Sequence, residues 1–234
     1  SHELRTPLTS IRGALGLMVG GALGPVPTPM QKLMNVAKDN AERLATLVND
    51  ILDFEKLEYG GMLFQKEPHS LFKLVQSAMD SNQGYADKFS IRLVLLANAD
   101  PQCQVLTDAN RLLQVLSNLI SNAIKFSHPQ GQVEVNVETS ARHARVWVID
   151  HGIGISSAFQ KQIFGKFSQE DGSGQRKYAG TGLGLSLSKA MIEKLGGTIG
   201  FDSVEGQGSR FYIELPLTAR ANIAPGEPNE TSKP

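Results

Sequence analysis

Gly180-Thr181-Gly182-Leu183-Gly184-Leu185 sets three glycines at alternate positions ahead of a run that reads as a helix through Lys194. Glycine lets backbone N–H groups come close to an anion, and a helix N-terminus adds a favourable dipole, so the segment suits phosphate oxygens. Its Gly-x-Gly-x-Gly spacing fits neither the Walker P-loop nor the Rossmann fingerprint. Asn118 and Asn122 stand four apart and share a helix face, with Lys125 on nearly the same face. Two carboxamides can offer oxygen to a hard divalent cation and nitrogen to phosphate oxygens, and the lysine adds positive charge. Taken alone, such an asparagine pair is usually a solvated face. Asp150-His151-Gly152-Ile153-Gly154-Ile155 directly follows the run Val146-Trp147-Val148-Ile149. A carboxylate at a strand end can accept a hydrogen bond from an exocyclic amine, and the glycines let backbone approach a flat ring, although Asp-x-Gly alone is commonly a turn. His2 and Glu3 head an apolar helical pattern. With an ordinary pKa of about 6.5, imidazole is mostly neutral at pH 7, and an adjacent carboxylate can hold one ring nitrogen's proton while the other attacks.

These residues need elements to position them. Leu4, Leu8, Ile11, Leu15, Met18 and Ala22 step alternately by four and three. The rhythm breaks at Gly24-Pro25-Val26-Pro27-Thr28-Pro29 and resumes with Leu33, Ala37, Asn40, Leu44, Leu47, Ile51 and Phe54, to about Leu57. Proline does not belong in a helix interior, so the break predicts a turn between two helices. One apolar stripe per helix is too little for a core, and pairing two hairpins into a four-helix bundle would bury both stripes, which predicts a homodimer. Gly13, Gly16, Gly20 and Gly21 are expected inside the first helix, each costing about 1 kcal/mol relative to alanine. Close packing over small residues and a helix that bends easily during signalling are both open readings.

From about Met62 the pattern changes to alternating strands and amphipathic helices. Residues 70–88 read as a helix, 91–96 as a strand, and Asp108 as the N-cap of a helix running to about Phe126. Residues 132–139 and 144–150 read as strands of period two, 183–195 as a helix, and two more strands flank Glu205-Gly206-Gln207-Gly208. Trp147 is expected on a core-facing position. The whole is an α+β chain: a hairpin over 1–61, an α/β sandwich with helices on one side of a mixed sheet over 62–218, and a polar, Pro-rich tail or linker over 219–234.

Composition narrows the function classes. Apolar residues make up 41% and charged residues 20% of 234, with 23 basic and 23 acidic side chains, so no net charge argues for nucleic acid or a membrane surface. Cys103 is the only cysteine, which excludes an internal disulfide and a cysteine zinc site and fits a reducing, cytoplasmic setting. No run approaches the roughly 18 to 20 apolar residues needed to cross a bilayer, and no direct membrane contact is expected. The chain opens at Ser1 without a signal-peptide pattern and is expected to be a piece of a longer protein whose sensory domain or anchor lies upstream. His69, His128 and His143 form no metal-ligand pattern and read as surface groups.

His2-Glu3-Leu4-Arg5-Thr6-Pro7-Leu8 resembles the H-box of sensor histidine kinases. Asn118 to Phe126 resembles their N-box, Asp150 to Ile155 their G1 box, Phe164-Gly165-Lys166-Phe167 their F-box and Gly180 to Leu185 their G2 box. His151 and Ile153 depart from the usual G1 wording without touching Asp150. The motifs stand in the family's order over residues 1–217. The resemblance implies a Bergerat-type ATP-binding domain that uses Mg-ATP to phosphorylate His2. It implies that Glu3 assists attack, that Thr6 serves dephosphorylation of a partner response regulator, and that Pro7 distorts the helix beside the nucleophile. Asn122 would hold Mg²⁺, Lys125 a phosphate and Asp150 the adenine amine. Asn118, Phe126, Gly152, Gly154, Ile155, Gly180, Thr181, Gly182, Leu183 and Gly184 would complete the ATP site. Residues 168–179 would form a mobile lid, within which Arg176 and Lys177 are open candidates for phosphate contact. Gyrase-type and chaperone ATPases of the same fold carry a glutamate where Asn118 stands, so phosphoryl transfer is preferred over hydrolysis. A nucleotide-binding scaffold with little kinase activity is the remaining alternative. Phosphohistidine would pass its group to an aspartate on a separate receiver domain.

Overall fold

The computed structural model describes residues 2–22, 24, 26–96, 103–169 and 180–218, and the side chains of His2 and Leu4 fall outside that description. The expected tail over 219–234 and most of the expected lid, with Arg176 and Lys177, also lie outside the described residues.

Two helices come first, α1 (His2–Val19) and α2 (Thr28–Glu58), packed on each other. α1 is shorter than its apolar rhythm. Gly21 adopts φ +76°, its N–H donates to the Met18 carbonyl, and the Ala22 N–H donates to the Leu17 carbonyl. This left-handed cap needs glycine and ends the helix, so Gly20, Gly21 and Ala22 are not interior as expected. Among the described residues, no other segment comes within 4 Å of where a side chain on Gly13 or Gly16 would start, so close packing within the chain does not explain them. Pro29 sits in the first turn of α2 rather than in the connecting turn, because a missing N–H is harmless there.

The α2 seam divides. Ala41, Ala45 and Leu52 are buried, and Ala45 shares a groove with Leu8 of α1, whereas Leu33, Leu44 and Ile51 of the expected stripe remain exposed. Phe54 packs instead on the core of the following domain, to which Leu57 also belongs.

That domain runs β1 (Glu67–Ser70), α3 (Leu71–Lys88), β2 (Arg92–Leu96), β3 (Gln104–Thr107), α4 (Ala109–Phe126), β4 (Gln132–Thr139), β5 (His143–Asp150), α5 (Ser157–Gln160), α6 (Gly184–Leu195), β6 (Thr198–Val204) and β7 (Gly208–Pro216). The five-stranded sheet has the order β2-β4-β5-β7-β6, with β2 parallel to β4 and the other pairs antiparallel. β1 and β3 form a separate antiparallel pair that periodicity did not reveal, since each has four residues and β1 carries Pro68. Asp108 caps α4 as expected, its carboxylate accepting from the Arg111 N–H at 3.1 Å.

Helices α3, α4 and α6 cover one face of the sheet. Val133, Val135, Val137, Val146, Val148, Ile213 and Leu215 point into that layer and are buried. Alternation then forces Trp147 onto the opposite face, contrary to the core position expected of it. There it packs against Tyr212, ring centroids 4.9 Å apart, with Arg145 and Arg210 over the rings.

Candidate functional site

β5 ends at Asp150, and the pairing register sets this residue opposite Ser209 at the start of β7. Its side chain is buried, and Oδ1 accepts from the Gly152 N–H at 3.0 Å and the Ser209 N–H at 3.3 Å. Among the described residues Oδ2 accepts no hydrogen bond. Burial pushes the carboxyl above its ordinary value, against the opposing pull of the two backbone N–H groups and of His151 and His128. A side chain on Gly152 would overlap the Phe126 carbonyl, and one on Gly154 (φ +67°) would overlap that of Val204. The Ile153 N–H donates to the Phe126 carbonyl at 3.3 Å, the Gly206 N–H donates to the Ile153 carbonyl at 2.7 Å, and Ile155 is buried beyond them. The end of α4, the loop after β5 and the β6–β7 turn are therefore one packed unit. His151 points elsewhere, its Nε2 lying 3.1 Å from the Glu134 carboxylate, which it holds below the ordinary glutamate range.

The other end of the cleft is cationic. Lys125 makes no ion pair among the described residues, and its ammonium lies 4.7 Å from the Phe126 ring centroid. A side chain on Gly180 would start 3.4 Å from the Lys125 ammonium, so the glycine loop lies directly beside it. Burial, helped by the charge of Arg43 on α2, pulls the lysine below its ordinary value. A lysine with no ion pair among the described residues, which also feels the charge of Arg43, makes a fit for a phosphate oxygen. The Asn122 side chain, inside α4, makes no hydrogen bond among the described residues, leaving its carboxamide oxygen as a hard donor of the kind Mg²⁺ takes. Asn118, one turn earlier, is engaged: its Nδ2 donates to Ser188 Oγ at 2.9 Å, and its side chain lies where a Cβ on Gly184 would stand. In the loop itself, Gly182 takes φ +72° with the Phe167 backbone against it. Leu183 is buried, and its N–H donates to Thr181 Oγ1 at 3.2 Å before Gly184 opens α6.

An acceptor at one end and that lysine at the other fit the amine and the phosphates of a nucleotide. The structure thus brings the N-box, G1 and G2 residues around one cleft. Glu3 and Thr6 are exposed on α1, where Arg5 Nε donates to Asn49 Oδ1 of α2 at 3.0 Å, and His2 opens the same helix. Sequence reasoning missed the side of α2 that meets this cleft. Thr181 Oγ1 donates to Asp50 at 2.8 Å, Lys166 pairs with Glu58 at 3.2 Å, and Gln114 donates to Asp53 at 3.0 Å. The available signal was the spacing Arg43, Leu47, Asp50, Phe54, in which charges interrupt an apolar helical stripe.

The family model for the histidine kinase-, DNA gyrase B- and HSP90-like ATPase matches residues 107–219, and that for the His Kinase A (phospho-acceptor) domain matches residues 1–60. The circadian input-output histidine kinase CikA of Synechococcus elongatus is 40% identical over 97% of this chain and 30% of its own length. The sensor protein GacS of Pseudomonas syringae is 39% identical over 93% of this chain and 24% of its own. This chain therefore spans less than a third of these curated relatives. Among solved structures, full-length ShkA in complex with AMPPNP superposes with a TM-score of 0.76 at 27% identity, covering 94% of this chain and 45% of ShkA. The histidine kinase AdeS of Acinetobacter baumannii superposes with a TM-score of 0.62 at 25% identity, covering 94% of this chain and 99% of AdeS.

Proposed function

Since this chain belongs to the sensor histidine kinases of two-component systems, we propose that it binds Mg-ATP and transfers the γ-phosphoryl group to His2. The observation that carries the reading is the cleft with Asp150 Oδ2 open at one end and Lys125 without an anion at the other. Asp150 accepts the adenine amine, and the packed loop of Gly152, Gly154 and Ile155 with Phe126 keeps water from that edge. Lys125 and the backbone of Gly180 to Gly184 receive the phosphates, which α6 favours with its N-terminal dipole. Asn122 would hold Mg²⁺ through its carboxamide oxygen, and the ion would supply charge neutralisation for the phosphates.

Catalysis on this reading is mostly positioning. One imidazole nitrogen of His2 forms a bond to the γ-phosphorus while the bond from that phosphorus to the β–γ bridging oxygen breaks, leaving ADP. Glu3 holds the proton of the other ring nitrogen and stabilises the charge that develops on the ring. Asn118 has no basic group to activate water and is tied to Ser188, which supports transfer over hydrolysis. The acceptor of the second step is an aspartate of a response-regulator receiver domain, and Thr6 serves a separate phosphatase activity in which water takes the phosphoryl group from that aspartate and leaves inorganic phosphate. The exposed Leu33, Leu44 and Ile51 support a homodimer through the hairpin. No helix among the described residues is long and apolar enough to cross a membrane. A cytoplasmic location belongs to the proposal.

The test is incubation with γ-labelled ATP and Mg²⁺ beside the His2→Gln and Asp150→Asn variants. Acid-labile, base-stable label that both variants lose is the expected result. Failure of the parent chain to bind ATP overturns the reading.

A further inference from the structure

Among the described residues, α2 meets the glycine loop itself through Asp50. Asp50 accepts the hydrogen bond from Thr181 Oγ1 at 2.8 Å, and Thr181 belongs to the glycine loop. The same oxygen already accepts the Leu183 N–H at 3.2 Å, so the loop's own backbone occupies its acceptor side. A hydroxyl has one proton to donate. Given to Asp50, it is not available to a phosphate oxygen.

The contacts around Asp50 are of another kind. Glu58 pairs with Lys166 at 3.2 Å, Lys166 lies 4.2 Å from the Phe54 ring centroid, and Asp53 takes Gln114 at 3.0 Å and Arg111 at 3.8 Å. They hold α2 to the sheet domain without touching the glycine loop, and Leu57 anchors them in the core. Asp50 thus adds a carboxylate to the phosphate end of the cleft, on a helix that also brings Arg43 near Lys125. A polyphosphate entering there meets like charge from Asp50 and competes with it for one proton.

We propose that Asp50 is a gate that makes seating of the hairpin on the glycine loop and full engagement of the nucleotide's phosphates by that loop mutually exclusive. The proposal rests on the nucleotide reading of the cleft. Nucleotide binding then loosens α2 at Asp50, and the hairpin that carries His2 is released from the loop when the phosphates are loaded.

Titration of the full chain with a fluorescent ATP analogue tests this, with amide hydrogen exchange of residues 50–58 as a second readout. Asp50→Ala is compatible with a helix and is expected to bind the analogue threefold to tenfold more tightly. Glu58→Gln weakens the dock without freeing the Thr181 proton and is expected to shift affinity less than twofold. Nucleotide is expected to speed exchange over residues 50–58 in the parent chain and to change it little in Asp50→Ala. Unchanged or weaker binding by Asp50→Ala, where the parent binds, overturns the gate alone. An equal gain from Glu58→Gln also overturns it, because docking in general and not the shared hydroxyl would then set affinity. Binding by neither protein overturns the gate together with the nucleotide reading.

Discussion

In the sheet domain Leu71, Val75, Leu112, Leu116, Ile120, Ile124 and Ile192 have no solvent exposure, whereas Leu8, Ala41, Ala45 and Leu52 of the hairpin each keep 7%. On the hairpin's other face Leu33 is 72% exposed, Val36 57% and Leu44 51%. The sheet domain closes its core with one chain because a sheet face and three helices present enough apolar area to each other. Two helices present only their touching stripes, and small residues such as Ala41 and Ala45 fill those. The remaining apolar area on the hairpin is what a second hairpin would cover. On the proposed dimer, the difference separates two kinds of stability, one independent of protein concentration and one tied to it.

Substitutions of similar chemistry on the two sides sharpen that contrast most. Ile120→Ala removes a side chain with no exposure from the α4 layer and is expected to lower stability by about 2 to 5 kcal/mol in urea unfolding, at any protein concentration. Leu33→Ala is expected to leave that transition within about 0.5 kcal/mol. It is expected to raise the dimer dissociation constant in a sedimentation dilution series. A Leu33→Ala protein with unchanged association would break the comparison, since the exposed stripe would then have no partner copy.

Nucleotide affinity comes next. Asp150→Asn replaces an acceptor oxygen with an amide in the place of a hydrogen bond to a charged group worth about 1.5 to 3 kcal/mol, so affinity is expected to fall roughly 10- to 100-fold by calorimetry. Leu44→Ala on the hairpin is expected to leave it within about twofold, as it touches neither the cleft nor the gate. Equal losses would mean that the cleft depends on how the hairpin associates.

The two regions were also unequally legible in sequence. In the sheet domain, alternation fixed strand faces, Asp108 marked a helix start, and closely spaced glycines marked the loops whose backbones touch. What escaped were elements too short for a period, β1, β3 and α5, and the face of Trp147, where large apolar area outweighed strict alternation. In the hairpin the heptad rhythm was plain, but a rhythm does not say which apolar stripe meets which neighbour. Phe54 left the expected seam for the second core, and Asp50 and Asp53 looked like ordinary solvated charges until the fold set Thr181 and Gln114 beside them. Contacts of that sequence separation have no local signature.

A smaller effect separates the two faces of the sheet. Trp147 packs at a tilt against Tyr212 and lies beneath Arg145 and Arg210 on the face away from the helices. Such aromatic and cation contacts are worth about 0.5 to 1.5 kcal/mol. Trp147→Ala is therefore expected to lower stability by about 1 kcal/mol, less than Ile120→Ala, with nucleotide affinity unchanged. A loss as large as that of Ile120→Ala would place the outer ladder on a par with the core.

The gentlest test uses pH on Asp150, a carboxylate that the sheet domain buries at the cleft. Burial raises the Asp150 carboxyl above its ordinary 3.8, so the folded chain holds that proton more tightly than the unfolded chain does. Between 3.8 and the raised value the folded state binds more protons, and stability falls as pH rises through this window. Above the window the buried charge is carried in full. A carboxamide in its place would have no charge to bury and would keep an oxygen for the Gly152 and Ser209 N–H groups. Asp150→Asn is thus expected to melt above the parent chain at pH 7 without nucleotide, with the gap closing as pH falls through the window toward 3.8. The substitution that most weakens binding would then stabilise the fold, the mark of a group held for its ligand and not for the core. If Asp150→Asn melts below the parent at pH 7, the two N–H bonds to the charged carboxylate outweigh its burial, and the residue belongs to the architecture as much as to the site.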